Sequence, residues 1–94
     1  MNPEGKFMLQ MYYEGISIDI HGMIEPEAIV YLNNALDGLE DRVEYVTIVH
    51  GYRSGTVLQT MVRQRYRHPR IKRKIRTYNP GETVFELYSI YDEK

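Results

Sequence analysis

The sequence predicts a single α/β domain, a two-layer sandwich whose mixed sheet follows the core order strand, helix, strand, helix, strand, strand. Three observations lead there. Two short β-patterned segments flank an amphipathic helical stripe, the make-up of a parallel crossover unit. A second helical pattern precedes two β-patterned segments joined by Asn79-Pro80-Gly81, the turn chemistry of an antiparallel hairpin. Finally, 94 residues, 43% hydrophobic and 27% charged, suit one soluble domain with one core.

Residues 1–15 contain an apolar and aromatic stretch, Phe7 to Tyr13, that reads as an edge strand or N-terminal arm, and the core is expected over about residues 16–90. Ile16-Ser17-Ile18-Asp19-Ile20 alternates apolar and polar with period two, the mark of a strand, and His21-Gly22 closes it. Pro26 suits a first helical turn, where its missing N–H is no loss. Ala28, Ile29, Leu32, Ala35, Leu36 and Leu39 then form one stripe, which predicts a helix from about Pro26 to Glu40. Val43 to Val49 is rich in β-branched residues and reads as a strand buried on both faces. A loop from His50 to Gly55 leads into a second helix through Val57, Leu58, Met61, Val62 and Tyr66, ended by His68-Pro69 because the residue before proline avoids helical angles. A basic strand around Ile71–Tyr78 and a strand around Thr83–Ser89 complete the hairpin.

Cysteine is absent, which removes disulfides, thiolate metal sites and cysteine nucleophiles together and fits a reducing compartment. No apolar run approaches the roughly 20 residues that span a bilayer, and no signal peptide opens the chain. A cytoplasmic protein without membrane contact, and a monomer, is the expectation. The net charge of −1 conceals a strong segregation. Nine acidic and two basic residues precede Tyr45, nine basic and no acidic residues lie from Tyr45 to Gly81, and four acidic and one basic follow. Such blocks predict a bipolar surface with one face suited to a polyanion, although a solvated basic face balanced by acidic neighbours has the same composition.

The parallel strands should end at Ile20 and Val49, and ligands of open α/β sheets bind beyond such ends. Those ends carry Asp19 and His21, and His50, Gly51, Arg53, Ser54 and Gly55. A carboxylate beside an imidazole fixes its tautomer and raises its basicity, which makes Asp19 and His21 a candidate acid–base pair. The same pair fits a strand end at which Asp19 merely caps a turn. After His50, glycines allow close backbone approach, and a following helix start favours an anion. Ser54 or Thr56 as a simple helix cap is the plainer reading of that stretch. His21, His50 and Asp19 could supply a divalent metal with an N₂O set, but no His-x-x-x-His pair exists, so no cofactor is expected. His68 reads as structural. Arg63 and Arg67 share a helix face at i, i+4, whereas Lys72, Lys74 and Arg76 share one side of the basic strand's alternation. With Tyr66 and Tyr78 beside them, these cations can bind phosphates and stack on bases.

The segment Ile18-Asp19-Ile20-His21-Gly22 resembles the opening motif of the small MutS-related (Smr) domain. Thr47-Ile48-Val49-His50-Gly51, followed by Ser54-Gly55 and a helix, is similar to that family's second motif, and His68-Pro69, the basic strand and Gly81 to Leu87 match its closing elements in order. The likeness spans about residues 16–88. Arg53 stands where the family often has a second glycine, and Tyr52 replaces its usual basic residue. The resemblance implies a fold similar to the C-terminal domain of a translation initiation factor. It also implies nicking or cleavage of DNA or RNA, with links to ribosome rescue or to DNA repair and recombination. It makes Asp19 and His21 the catalytic pair and His50, Gly51 and Gly55 the phosphate-binding loop.

Together these readings predict a nucleic-acid endonuclease acting on RNA more readily than on DNA. Asp19, His21 and His50 would be its catalytic groups. Gly51, Arg53, Ser54, Gly55, Arg63, Arg67, Lys72, Lys74 and Arg76 would be its phosphate contacts. The alternative is a non-catalytic module that docks on nucleic acid or the ribosome, and a third reading is a protein–protein interaction domain.

Overall fold

In a computed structural model, which describes residues 16–92, the chain folds as a mixed four-stranded sheet covered by two helices. The elements are β1 (Ser17–Asp19), α1 (Glu25–Gly38), β2 (Tyr45–Val49), α2 (Val57–Thr60, continued by a π-helical turn over Met61–Arg65), β3 (Ile71–Arg76) and β4 (Glu82–Leu87). The spatial order of the strands is β1-β2-β4-β3. β1 and β2 are parallel, and β4 is antiparallel to both β2 and β3. Consequently β1, β2 and β3 all end, and β4 begins, along one edge of the sheet. The expected arm at Phe7 to Tyr13 lies outside the described residues.

α1 forms because its apolar residues recur at helical spacing, and it buries Ala28, Leu32 and Leu36. These join Ile18, Ile20, Val46, Ile48, Phe85 and Leu87 from the sheet and Met61, Val62 and Tyr66 from the α2 segment in one core. Fully burying each large aliphatic or aromatic side chain contributes about 1.5–3 kcal/mol. Both helices therefore cover the same face. On β2, buried Val46 and Ile48 alternate with half-buried Tyr45, Thr47 and Val49. The expectation of a strand buried on both faces is corrected: β-branched residues fill both sides, but helices cover only one.

The second helix also departs from expectation. It leaves α-geometry after Thr60, and Tyr66 N–H donates to Met61 O at 2.7 Å across a widened turn. Tyr66 is already extended, at φ −68° and ψ 136°, three residues before Pro69. Tertiary contacts account for this end better than the proline does. The Tyr66 ring stacks on Phe85 at 6.1 Å, and its hydroxyl donates to Asn33 Oδ1 at 2.6 Å. Burial pushes that phenol up to about 12.

The last turn of α1 has no basic side chain of its own. Arg70 supplies one from the start of β3, donating to Leu39 O at 2.7 Å and Glu40 O at 3.0 Å. A guanidinium there satisfies orphan carbonyls and complements the helix dipole. His68 supports the same corner, with Nε2 2.8 Å from Asp37 Oδ1 and Nδ1 accepting from Arg70 N–H at 3.1 Å.

β3 carries a bulge. Ile71 faces Leu87 but Arg73 faces Glu86, so Lys72 is the unpaired extra residue. Lys74 and Arg76 then face Phe85 and Thr83 on the helix side, while Arg73 faces Glu86 on the other. The strict alternation expected for this strand holds only after the bulge. No helix among the described residues is long and apolar enough to cross a membrane.

Candidate functional site

β1 and β2 pair in register, with Asp19 opposite Val49, so the turns that follow them leave the same edge side by side. Between them and the start of α2 lies an open groove of about 780 Å³, lined by Asp19, His21, His50 and the loop from Gly51 to Gly55. Ile24, Tyr52 and Val57, all well exposed, add apolar wall.

Asp19 is the last residue of β1, and the chain bends there rather than continuing as strand. One carboxylate oxygen accepts the His21 backbone N–H at 3.0 Å and lies 2.6 Å from His21 Nδ1. The capped turn and the acid–base pair, alternatives in the sequence, are thus made by one atom. Those two hydrogen bonds, ring first, hold Asp19 below the ordinary carboxylate range. Because an ionised carboxylate only accepts, Nδ1 carries the hydrogen and Nε2 keeps an open lone pair. The two side chains are 67% and 56% exposed, so that lone pair is accessible.

His50 is placed differently from the expectation of a second proton-transfer group. It is 3% exposed, with Nδ1 2.9 Å from Gly51 O and Nε2 2.9 Å from Thr83 Oγ1. A carbonyl only accepts, so Nδ1 carries the hydrogen and Nε2 accepts from the threonine hydroxyl. Thr83 Oγ1 in turn accepts from Arg63 Nε–H at 2.8 Å, and Arg63 also donates to Glu82 O at 2.9 Å. The polar chain closes with every member satisfied. Burial lowers the His50 pKa, and the Arg63 charge adds to the effect. The ring is a neutral strut behind the groove.

That strut holds a loop of defined shape. His50 N–H and Gly51 N–H both donate to Gly81 O at 2.9 Å, tying the end of β2 to the hairpin turn. Gly51 has φ +75°, and a Cβ added there would stand 3.4 Å from His21 Cβ. Gly55 N–H donates to Tyr52 O at 3.2 Å. The amides of Gly51 and Gly55 are therefore engaged, while those of Tyr52, Arg53 and Ser54 make no hydrogen bond among the described residues. The Arg53 and Ser54 side chains are exposed. Thr56 makes no side-chain cap, nor does Ser54, so the simple capping reading of this stretch is corrected.

The cations divide into two groups. Lys72 bonds Asp92 at 2.9 Å and lies 3.7 Å from Glu86, while Arg73 pairs with Glu86. The Asp92 hydrogen bond chiefly raises the Lys72 pKa. Lys74 donates to Tyr66 O at 2.6 Å and lies over the Phe85 ring. Arg67 and Arg76 have no hydrogen-bond or ion-pair partner among the described residues. The basic segment is thus partly neutralised, and the bulge at Lys72 divides it.

No group of three or more His, Asp or Glu side chains among the described residues is arranged to hold a metal ion. Sequence reasoning overlooked Thr83, and its one signal was a lone hydroxyl in the apolar run Val84-Phe85. It also gave Arg63 to a ligand rather than to the strut. No protein-family model, curated protein or solved structure matches this chain.

Proposed function

We propose that this chain is a small endonuclease that cleaves RNA through His21, oriented by Asp19. The observation that carries this reading is the 2.6 Å contact between Asp19 Oδ1 and His21 Nδ1, which leaves Nε2 as an accessible base in an open groove. In RNA the attacking group is built into the substrate, so the protein has only to move a proton and steady the phosphate. His21 Nε2 removes the 2′-hydroxyl proton, and the 2′-oxygen bonds to the adjacent phosphorus. The bond from phosphorus to the 5′-oxygen breaks, and that oxygen takes a proton from the imidazolium or from water. A 2′,3′-cyclic phosphate and a free 5′-hydroxyl remain, so atoms and charge balance.

The unbonded amides of Tyr52, Arg53 and Ser54 and the Arg53 guanidinium, on the loop that lines the groove, would meet the developing negative charge, which is stabilisation by preorganised donors. His50 and Thr83 act on substrate only by fixing the loop. The likeness of the Asp19–His21 and His50–Gly51 segments to the Smr motifs supports this reading, as it supports a kinship of fold with the initiation-factor domain.

A second reading, a binding module without turnover, is favoured by the unpartnered Arg67 and Arg76. Incubating labelled single-stranded RNA and DNA with purified protein separates the two. Cyclic-phosphate products from RNA that vanish with His21→Ala support the nuclease, whereas salt-sensitive binding without products supports the module. Cleavage that persists in chelator agrees with a reaction run by side chains alone.

A further inference from the structure

We infer that Arg67 and Arg76, backed by Arg63 and Lys74, form a second phosphate subsite for a single-stranded RNA that enters the groove across the edge of the sheet. The inference rests on the reading of the chain as an RNA-binding protein, but not on cleavage.

Position comes first. Asp19 faces Val49, Val49 faces Glu82, and the neighbouring Thr83 faces Arg76. These residues form one row along the edge where β1, β2 and β3 end. Three strand spacings of roughly 4.8 Å separate β1 from β3, about 14 Å in all. At about 3.4 Å of rise per stacked nucleotide, about four nucleotides link the catalytic pair to Arg76.

Charge comes second. On the far side of the bulge Lys72 and Arg73 are neutralised by Asp92 and Glu86. On the helix side Arg76 lies opposite Thr83, which Arg63 bonds, and Lys74 bonds the carbonyl of Tyr66, the residue before Arg67; no carboxylate pairs with any of these four among the described residues. Burial lowers the Arg63 and Lys74 pKa values, and Arg76 and Arg67 respectively add repulsion. The donors of Arg63 and Lys74 are largely engaged on Thr83, Glu82 and the Tyr66 carbonyl. Arg67 and Arg76 are left as exposed, unengaged guanidinium forks, the group best shaped for bidentate phosphate contact. A cluster of like charges without counter-charge is relieved by a polyanion. RNA is favoured over other polyanions because Arg76 stands at the same edge as a groove with an acid–base pair.

The test uses the full chain carrying His21→Ala, so that RNA survives, and measures anisotropy of labelled oligouridylates two to eight nucleotides long. Affinity should rise up to about five nucleotides and then level off. At 0.1 M salt Arg67→Ala and Arg76→Ala should each weaken the eight-nucleotide complex about fivefold and flatten the log–log salt slope by about 0.7. Arg42 Nε lies 2.9 Å from Glu40 Oε1 and Arg73 pairs with Glu86, so Arg73→Ala and Arg42→Ala remove the same charge from paired positions and should change affinity less than twofold. Equal losses in all four variants would show only a net-charge effect and overturn the subsite. So would an affinity independent of length, or equal competition by a phosphopeptide. If the subsite fails in these ways while His21-dependent cleavage persists, the nuclease reading stands alone. Absence of any RNA binding at low salt overturns both.

Discussion

The hydrogen between His50 Nε2 and Thr83 Oγ1, 2.9 Å apart, belongs to the threonine. Gly51 O accepts the ring's one N–H hydrogen, on Nδ1, and Arg63 fills the acceptor side of the hydroxyl. The tautomer of a buried histidine is thereby set by a carbonyl on one side and by a cation, acting through a hydroxyl, on the other.

Thr83→Val keeps shape but removes the hydroxyl, leaving His50 Nε2 and Arg63 Nε without their partner. Thr83 is fully buried, so the loss should be about 1–3 kcal/mol, with Thr83→Ser close to wild type. Urea unfolding midpoints measure both, and a valine variant as stable as wild type would mean the chain of bonds contributes nothing.

Burial depresses the folded-state pKa of His50 below its unfolded value near 6.5. The unfolded chain therefore binds the proton more readily. The stabilisation is complete above about pH 6.5 and is lost as pH falls through that window toward the folded pKa. Unfolding midpoints should decline from pH 7 to pH 5, and His50→Asn should flatten that decline while lowering stability at pH 7.

Gly51 combines φ +75° with close approach to His21. An alanine there should lose about 1–2 kcal/mol to left-handed strain and set its methyl against His21 Cβ, 3.4 Å away. Cleavage should drop more than stability does. A single-turnover assay beside thermal melting tests this, and an unchanged rate would remove Gly51 from the site.

Asp19→Asn can still accept the His21 backbone N–H, so the turn should survive. Its neutral amide no longer supplies the negative charge that supports a positive imidazolium, and the rate should fall by about 10²–10⁴-fold. Single-turnover rates of both proteins on labelled RNA check this, and an unchanged rate would exclude the pair from proton transfer.

Strand and helix positions were legible in the sequence because they rest on periodicity. Val46 and Ile48 against Leu32 and Leu36 follow from spacing alone. The bulge at Lys72 was not legible, since Ile71 and Lys74 share a face despite odd separation, which strict alternation forbids. The role of His50 was likewise hidden. Its identity suggested chemistry, but its partner lies 33 residues away, and only the sheet order brings Thr83 to it. Asp19 and His21 were the opposite case, because a bond between residues two apart is local.

The strand between β2 and β3 is the last of the four to be made. A nascent chain ending at Gly81 already has both helices and three strands, yet β3 has no strand to pair with. The apolar surfaces that Phe85 and Leu87 later cover stand open. Folding of this domain therefore waits on residues 82–87 leaving the ribosome. Until then the chain depends on non-local pairing with a partner not yet synthesised, the slow regime for a small domain. Substitutions within β4 should consequently reduce yield in cells more than their equilibrium effects suggest.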